Sequence, residues 1–296
     1  MKGPRTRRAE VPAAAYGRQE ALRAAARLIE WAAAAPQGRP QDEYIHELRV
    51  RLRRARAVMR AFRRFYPTRA DFERRVRPLR RLTKALGPMR DADVTAALFE
   101  EVLKGTPYPP RGIARLLTQH HIAQEARWAR VKSALDTVRA LRPHDLAPGP
   151  PAKGRKRPRP AGRHASRTLE RRFGEVWALR RALESEDPLE LHALRIEIKR
   201  LRYTIETFDR LLGPSGALWG ERLKALQAIL GLVNDHTVAL VIVERKLKPA
   251  RDPLEVASLQ LVARILEGRR AAHIARFHAE WERAGPKRLR ARIRAL

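Results

Sequence analysis

The stretch HALRIEIKRLR, His192 to Arg202, restates HELRVRLRRAR, His46 to Arg56, 146 residues earlier. Apolar residues recur in both every three or four positions. Ile45, Leu48, Leu52, Ala55, Met59, Phe62 and Tyr66 align in turn with Leu191, Leu194, Ile198, Leu201, Ile205, Phe208 and Leu212. That period marks one buried helical face. A second line is cationic: at 3.6 residues per turn, His46, Arg49, Arg53 and Arg56 fall within a stripe about 80° wide. His192, Arg195, Lys199 and Arg202 repeat it. The stripe sits about 100° from the apolar face, beside the core instead of opposite it. Charges meant only for water point away from the core, whereas these can be enclosed by a neighbouring helix or by the other copy.

Downstream of each stretch come LGPMRDADV, Leu86 to Val94, and LGLVNDHTV, Leu230 to Val238, displaced by 144. Two matches in the same order at nearly the same separation argue for internal duplication. Ala, Leu, Arg and Glu dominate the periodic segments and no two-residue alternation is sustained, so the fold class is all-α. Helices are expected over about 12–34, 42–66, 69–86, 89–104 and 111–141, then about 165–185, 188–212, 217–230, 235–247 and 253–283. They divide into two pseudo-twofold-related bundles of about four to five helices, 12–142 and 165–284, together one domain. Each half is long enough to bury a core of its own. Residues 143–164 read as a basic Pro/Gly-rich linker and 285–296 as a basic tail. Gly87-Pro88 and Gly231 read as helix stops, with Asp91 and Asp235 capping or starting the next helices.

Sixty-four Lys and Arg against 32 Asp and Glu leave a formal charge of +32 on a chain that is 44% hydrophobic. Such an excess repels itself, and a polyanionic partner would neutralise it: nucleic acid, an anionic membrane surface or a chain of phosphates. The absence of cysteine excludes disulfides and thiolate chemistry and fits a reducing compartment. Neither a signal-peptide apolar run nor an uninterrupted stretch of roughly 18 apolar residues occurs. The expectation is a cytoplasmic monomer with no membrane partner.

Imidazole can donate to phosphate and guanidinium can grip two phosphate oxygens at once. Both histidines come early in their helices, after Asp42 and after the Asp187-Pro188 pair, where the helix dipole favours an anion. The two stripes therefore describe a phosphate track; the bland alternative is that His46 and His192 are simply packed and hydrogen-bonded. A metal site of Asp91, Asp93, Asp235 and His236 is disfavoured by the cations around it. His120-His121 point in different directions along one helix, and the five tryptophans are too dispersed to form a base-stacking platform. GRKRPRP, Gly154 to Pro160, reads as a solvated linker or, alternatively, a nucleic-acid-binding arm.

His-x-Leu-Arg-[Val/Ile]-x-[Leu/Ile]-[Arg/Lys]-Arg-x-Arg, found twice and each time followed by Leu-Gly and then Arg-Asp or Asn-Asp, resembles the CHAD family, the conserved histidine α-helical domain. The resemblance covers most of the chain and implies two four-helix bundles around a basic central cavity that binds inorganic polyphosphate. It also implies that His46, Arg49, Arg53, Arg56, His192, Arg195, Lys199 and Arg202 face the cavity. Arg80 and Lys224, equivalent under the 144 displacement, are expected to join them. Non-catalytic polyphosphate binding, with no cofactor or metal and with association with polyphosphate granules, is the leading expectation. Nonspecific nucleic-acid binding at low salt is the second. A metal-dependent phosphohydrolase is the third; it lacks a coherent acidic cluster or a phosphate-binding glycine loop.

Overall fold

The computed structural model describes residues 10–38, 40–150 and 159–294. As expected, these residues are helical; they contain no strand, only an isolated bridge between Pro12 and Pro160. The helices of the first half are α1 (Ala13–Ala33), α2 (Asp42–Ala61), α3 (Arg69–Leu103), α4 (Arg111–Ile122), α5 (Gln124–Arg139) and the single turn α6 (Pro143–Leu146). The second half holds α7 (Ala161–Ala178), α8 (Ala182–Ser185), α9 (Pro188–Thr207), α10 (Asp209–Leu212), α11 (Pro214–Leu247), α12 (Pro253–Ala284) and α13 (Pro286–Arg294).

The duplication is visible in the lengths. Helices α2 and α9 each have 20 residues, and α3 and α11 have 35 and 34. In chain order the pair α4–α5 follows α3 as the unbroken α12 follows α11. Helix α9 starts as its sequence requires: Pro188 takes the first position and the Asp187 carboxylate accepts from the N–H groups of Leu189 and Glu190, at 2.9 and 3.0 Å. The paired apolar faces are buried throughout, apart from the partly buried Leu212.

Where the halves meet, the duplication becomes a set of reciprocal contacts. The N–H of Ala13 donates to Arg159 O and the N–H of Ala161 donates to Val11 O, both at 2.8 Å. Tyr16 Oη donates to Thr207 O at the end of α9 (3.4 Å), and His164 Nε2 donates to Ala61 O at the end of α2 (2.9 Å). Each half thus satisfies a helix-end carbonyl of the other. Phe62 and Phe208, which cap the ends of α2 and α9, pack edge to face with centroids 5.5 Å apart, and Tyr16 and His164 flank them. Burial pushes His164 down to about 4, so its ring is neutral at ordinary pH.

Several boundaries differ from the sequence reading. Helices α3 and α11 run straight through Gly87-Pro88 and Gly231, so Asp91 and Asp235 lie in mid-helix and cap nothing. Pro88 lacks the N–H for one rung of the ladder, but Leu86 and Met89 around it, like Leu230 and Val233 around Gly231, are buried, and that packing outweighs local propensity. The expected helix over 111–141 instead breaks at Ala123. Segment 143–150, read as linker, begins with α6. Leu146 and Ala147 are buried, Tyr66 Oη donates to Leu146 O at 2.6 Å, and Arg75 Nη1 donates to the carbonyls of His144 and Asp145 at 3.0 Å. The linker's Lys153, Arg155, Lys156 and Arg157, and with them most of GRKRPRP, lie outside the described residues. The C-terminal segment forms α13, whose Leu289 and Ile293 are buried on the side packed against α7.

The cores are shared as well. One cluster belongs to the first half and one mainly to the second, but the latter takes in Tyr16, Val58 and Phe62. A third joins the distal ends of α3 and α11 through Phe99, Val102, Ala239 and Val243, with Ile113, Leu259, Val262 and Leu266. Beside it, Glu255 of α12 accepts from the N–H groups of Arg111 and Gly112 at the start of α4 (2.8 and 3.0 Å). By length and composition α11 could cross a bilayer, with an 18-residue window of mean hydropathy 1.7. In this fold it packs between α9 and α12.

Gly17 allows α1 to reach the central rings, since a Cβ there would lie 2.3 Å from Phe62 Cδ1, whereas one on Gly174 of α7 would meet nothing within 4 Å. Gly17→Ala is expected to lower the melting temperature, at a cost of about 1–3 kcal/mol from overpacking. Gly174→Ala, which gains helix propensity, is expected to raise it by the equivalent of about 1 kcal/mol. Thermal denaturation of the two variants checks the assignment; shifts of the same sign would contradict it.

Candidate anion-binding site

Helices α2 and α9 pack against each other, which brings the two cationic stripes together. Arg49, Arg53, Arg56, Arg195, Lys199 and Arg202 are all half-buried, while His46 and His192 remain exposed at the helix starts. The long helices α3 and α11 enclose the stripes. Arg49 Nη1 donates to Leu86 O at 3.3 Å and Arg53 Nε to Arg49 O at 3.1 Å. Arg56 Nη1 donates to Thr83 Oγ1 at 2.7 Å, and Arg202 Nε to Gln227 Oε1 at 3.0 Å. Thr83 and Gln227 are themselves equivalent under the 144 displacement. Both repeats therefore orient their last stripe arginine from the same position on the neighbouring long helix.

The charges do not cancel locally. Burial pushes Arg49 and Arg56 down to about 10, aided by Arg53 at the first and by Arg60 and Arg80 at the second; Arg53 is shifted the same way, chiefly by burial. Lys199 falls to about 8, through burial first and then through Arg195, Arg53, Arg200 and Arg49. The Nε atoms of Arg56 and Arg195 are buried without an acceptor. A buried donor without a partner costs free energy that an incoming oxyanion would recover. Arg202 is the paired member, donating to Glu206 at 2.6 Å. Cations facing one another with N–H groups to spare suit a ligand that is anionic and rich in acceptors.

Besides Thr83 and Gln227, three participants were not expected. Tyr203 is buried, with the Arg202 guanidinium 4.2 Å and the Arg53 guanidinium 5.7 Å from its ring centroid, so one ring serves a cation from each repeat. Its equivalent is Ala57, so the repeat gave no signal for it. Asn234 Oδ1 accepts from Nδ1 of His192 at 2.6 Å. In the first repeat the matching residue is Arg90, which cannot accept from His46. Gly231, read as a helix stop, is where α11 passes the Arg195 guanidinium, 3.9 Å from a Cβ built there. Thus LGPMRDADV and LGLVNDHTV supply the walls of the site.

Arg80 and Lys224 are placed differently from the rest. Both are exposed; Lys224 pairs with Glu221 at 3.4 Å on its own helix, and Arg80 pairs with Glu73 and lines a separate cavity. Asp235 is half-buried, and burial raises its carboxyl despite Asn234, Arg195 and Arg90. Among the described residues no group of three His, Asp or Glu side chains converges on a point where a metal ion could be held. His120 is buried, 2.9 Å from Gln124 and 3.5 Å from Asp93. The tryptophans are core residues or, like Trp31 stacked on Tyr44, pack at its margin.

Comparison with known proteins agrees with this architecture. The crystal structure of the CHAD domain from the plant Ricinus communis superposes with a TM-score of 0.63 at 19% sequence identity, covering 100% of this chain and 96% of that one. At that identity the likeness speaks for the fold. No curated protein matches the chain. The CHAD domain family model matches residues 21–244, a span holding both stripes, α3 and all but the last three residues of α11. The chain belongs to the CHAD domain family.

Proposed function

We propose that the protein binds inorganic polyphosphate, without hydrolysing it, along the surface where α2 and α9 bring the two stripes together. The observation that carries this reading is the set of six half-buried cations, three from each repeat, with buried N–H groups at Arg56 and Arg195 lacking acceptors. The family is associated with polyphosphate, which agrees in kind. A linear chain of phosphates presents an oxyanion at every step, so it can engage both stripes at once; orthophosphate meets only a fraction of them. Helices on both sides leave the stripes half-buried, which suits a single thin chain better than a duplex.

Affinity for long-chain polyphosphate is expected to fall steeply with salt, with a log–log slope of roughly −4 if six contacts each release counterions at the single-strand coefficient. Arg49→Glu/Arg53→Glu and Arg195→Glu/Lys199→Glu should each weaken binding by about a hundredfold or more, with the combined variant short of the product. Titration calorimetry with polyphosphate, orthophosphate, single-stranded RNA and duplex DNA at physiological salt tests this. Equal affinity for orthophosphate and the long chain would exclude a track, and a preference for RNA or DNA would favour nucleic-acid binding.

Lys199 supplies a pH signature. Its ammonium is destabilised in the free protein, so a bound polyanion must raise its pKa, and binding near pH 8 should take up roughly half a proton. Affinity is then full below pH 8 and declines as pH rises above it. Lys199→Arg should remove the proton uptake while keeping binding, as read from calorimetry in buffers of different ionisation enthalpy. Undiminished uptake in that variant would place the titrating group elsewhere.

No phosphate release from polyphosphate or nucleoside triphosphates is expected, with or without magnesium or manganese. Metal-dependent release that Asp91→Ala or Asp235→Ala abolishes without unfolding would overturn the non-catalytic reading.

A further inference from the structure

A cavity of about 730 Å³ opens where the end of α2 and the start of α3 face α7, outside the two stripes. Arg60, Arg63 and Arg64 line one side, and Arg69 and Arg80 another. Helix α7 contributes Arg167, Arg171 and Arg172. Glu73 is the one carboxylate among the lining residues. Arg60 is exposed, yet desolvation by its neighbours and then Arg200, Arg80 and Arg172 hold it below its ordinary value, with Glu73 opposing them.

The duplication provides an internal control. Arg60 and Arg63 correspond, by the 146 displacement, to Glu206 and Asp209. Pro12 and Pro160, which precede α1 and α7, set a displacement of 148, under which Arg167, Thr168 and Arg172 correspond to Gln19, Glu20 and Ala24. On that side the acids are engaged: Glu20 pairs with Arg23 at 2.6 Å and Arg210 at 3.9 Å, and Glu206 with Arg202 at 2.6 Å. The lining is therefore cationic in one copy and acid-paired at equivalent positions of the other, so its charge is no by-product of the repeat.

We propose that this cavity is a second anion site and that its ligand is a compact oligophosphate of three or more linked phosphates. Its volume is that of a small-molecule pocket. Its aromatic floor argues against a nucleobase: Phe72 and Tyr66 are 2% and 5% exposed, and the Arg63 guanidinium already lies 5.2 Å from the Phe72 centroid. No ring face is left for stacking. Arginines of α2, α3 and α7 line the cavity instead; Arg80 pairs with Glu73 and Arg172 with Glu175, but their excess over the single lining carboxylate suits several phosphate oxygens at once. Such a ligand could be a free short chain or the terminal stretch of a longer one.

The test is calorimetric titration with tripolyphosphate and, separately, with long-chain polyphosphate. Arg63→Asp/Arg167→Gln carries the residues that the other copy holds at the same places. Arg167→Gln/Arg171→Gln changes exposed side chains of α7 only, and so reports even if the first variant folds poorly. The wild-type chain should bind two tripolyphosphates, and each cavity variant should keep one while weakening the other at least about tenfold. Arg195→Glu/Lys199→Glu should retain the cavity site. A wild-type chain that binds one tripolyphosphate, unchanged in both cavity variants, overturns the proposal. If Arg195→Glu/Lys199→Glu leaves long-chain binding intact while the cavity variants lose a tripolyphosphate, the cavity stands and the paired-stripe reading falls. With the cavity established, a tenfold loss of long-chain affinity in its variants identifies a chain end as the ligand, and no loss identifies a free oligophosphate.

Discussion

Phe62 and Phe208 meet where the equivalent helices α2 and α9 end, and the alignment of the two stripes depends on that contact. Each ring belongs to a buried apolar face, so its position fixes the rotation of its helix and hence the direction in which the cations beside that face project. Tyr16 and His164 hold the arrangement by crossing between halves, each donating to the other half's helix-end carbonyl. A rotation of one helix would separate the rings, orphan a carbonyl and turn three cations away together. Core packing and the site are thus one geometric problem.

The site is costly to the fold. Drawing Lys199 down to about 8 from its ordinary 10.5 amounts to about 3 kcal/mol against folding at neutral pH. The sign follows from the direction of the shift: the penalty is full below pH 8, where the folded state carries a disfavoured ammonium, and fades as pH climbs toward 10.5. Arg49, Arg53 and Arg56 are strained in the same sense. Such penalties are tolerable because two apolar clusters, one of them shared by both long helices, bind the halves together, and a third consolidates the first half. A polyanion that relieves them stabilises the folded chain on binding.

The all-α class, the duplication and the stripes were legible because each is a periodic pattern, and helical period converts directly into a face. Gly87-Pro88 and Gly231 misled because propensity is local, whereas Leu86, Met89, Leu230 and Val233 draw their burial from helices far away in sequence. Segment 143–150 misled in the same way: its prolines and glycine suggest solvent, but Tyr66 and Arg75 fasten its carbonyls. Thr83 and Gln227 could have been found, since the displacement that aligns LGPMRDADV with LGLVNDHTV also aligns them. Tyr203 could not, because a role filled by one repeat leaves no trace in a comparison of the two.

That asymmetry has a physical reason. A single ring can bear a cation from each repeat, so the role needs no second copy. Tyr203 with Ala57 as its counterpart leaves a single ring between Arg53 and Arg202, serving a cation from each repeat. Glu206, the counterpart of Arg60, then pairs with Arg202 on one side, while Arg60 stays cationic on the other. The duplication therefore builds the shared surface in pairs, and the substitutions that break the pairing give it a direction: acid-paired toward α1 and α10, and cationic toward α3 and α7. A linear polyanion on such a surface would meet two unlike ends, although the helices that carry it are copies.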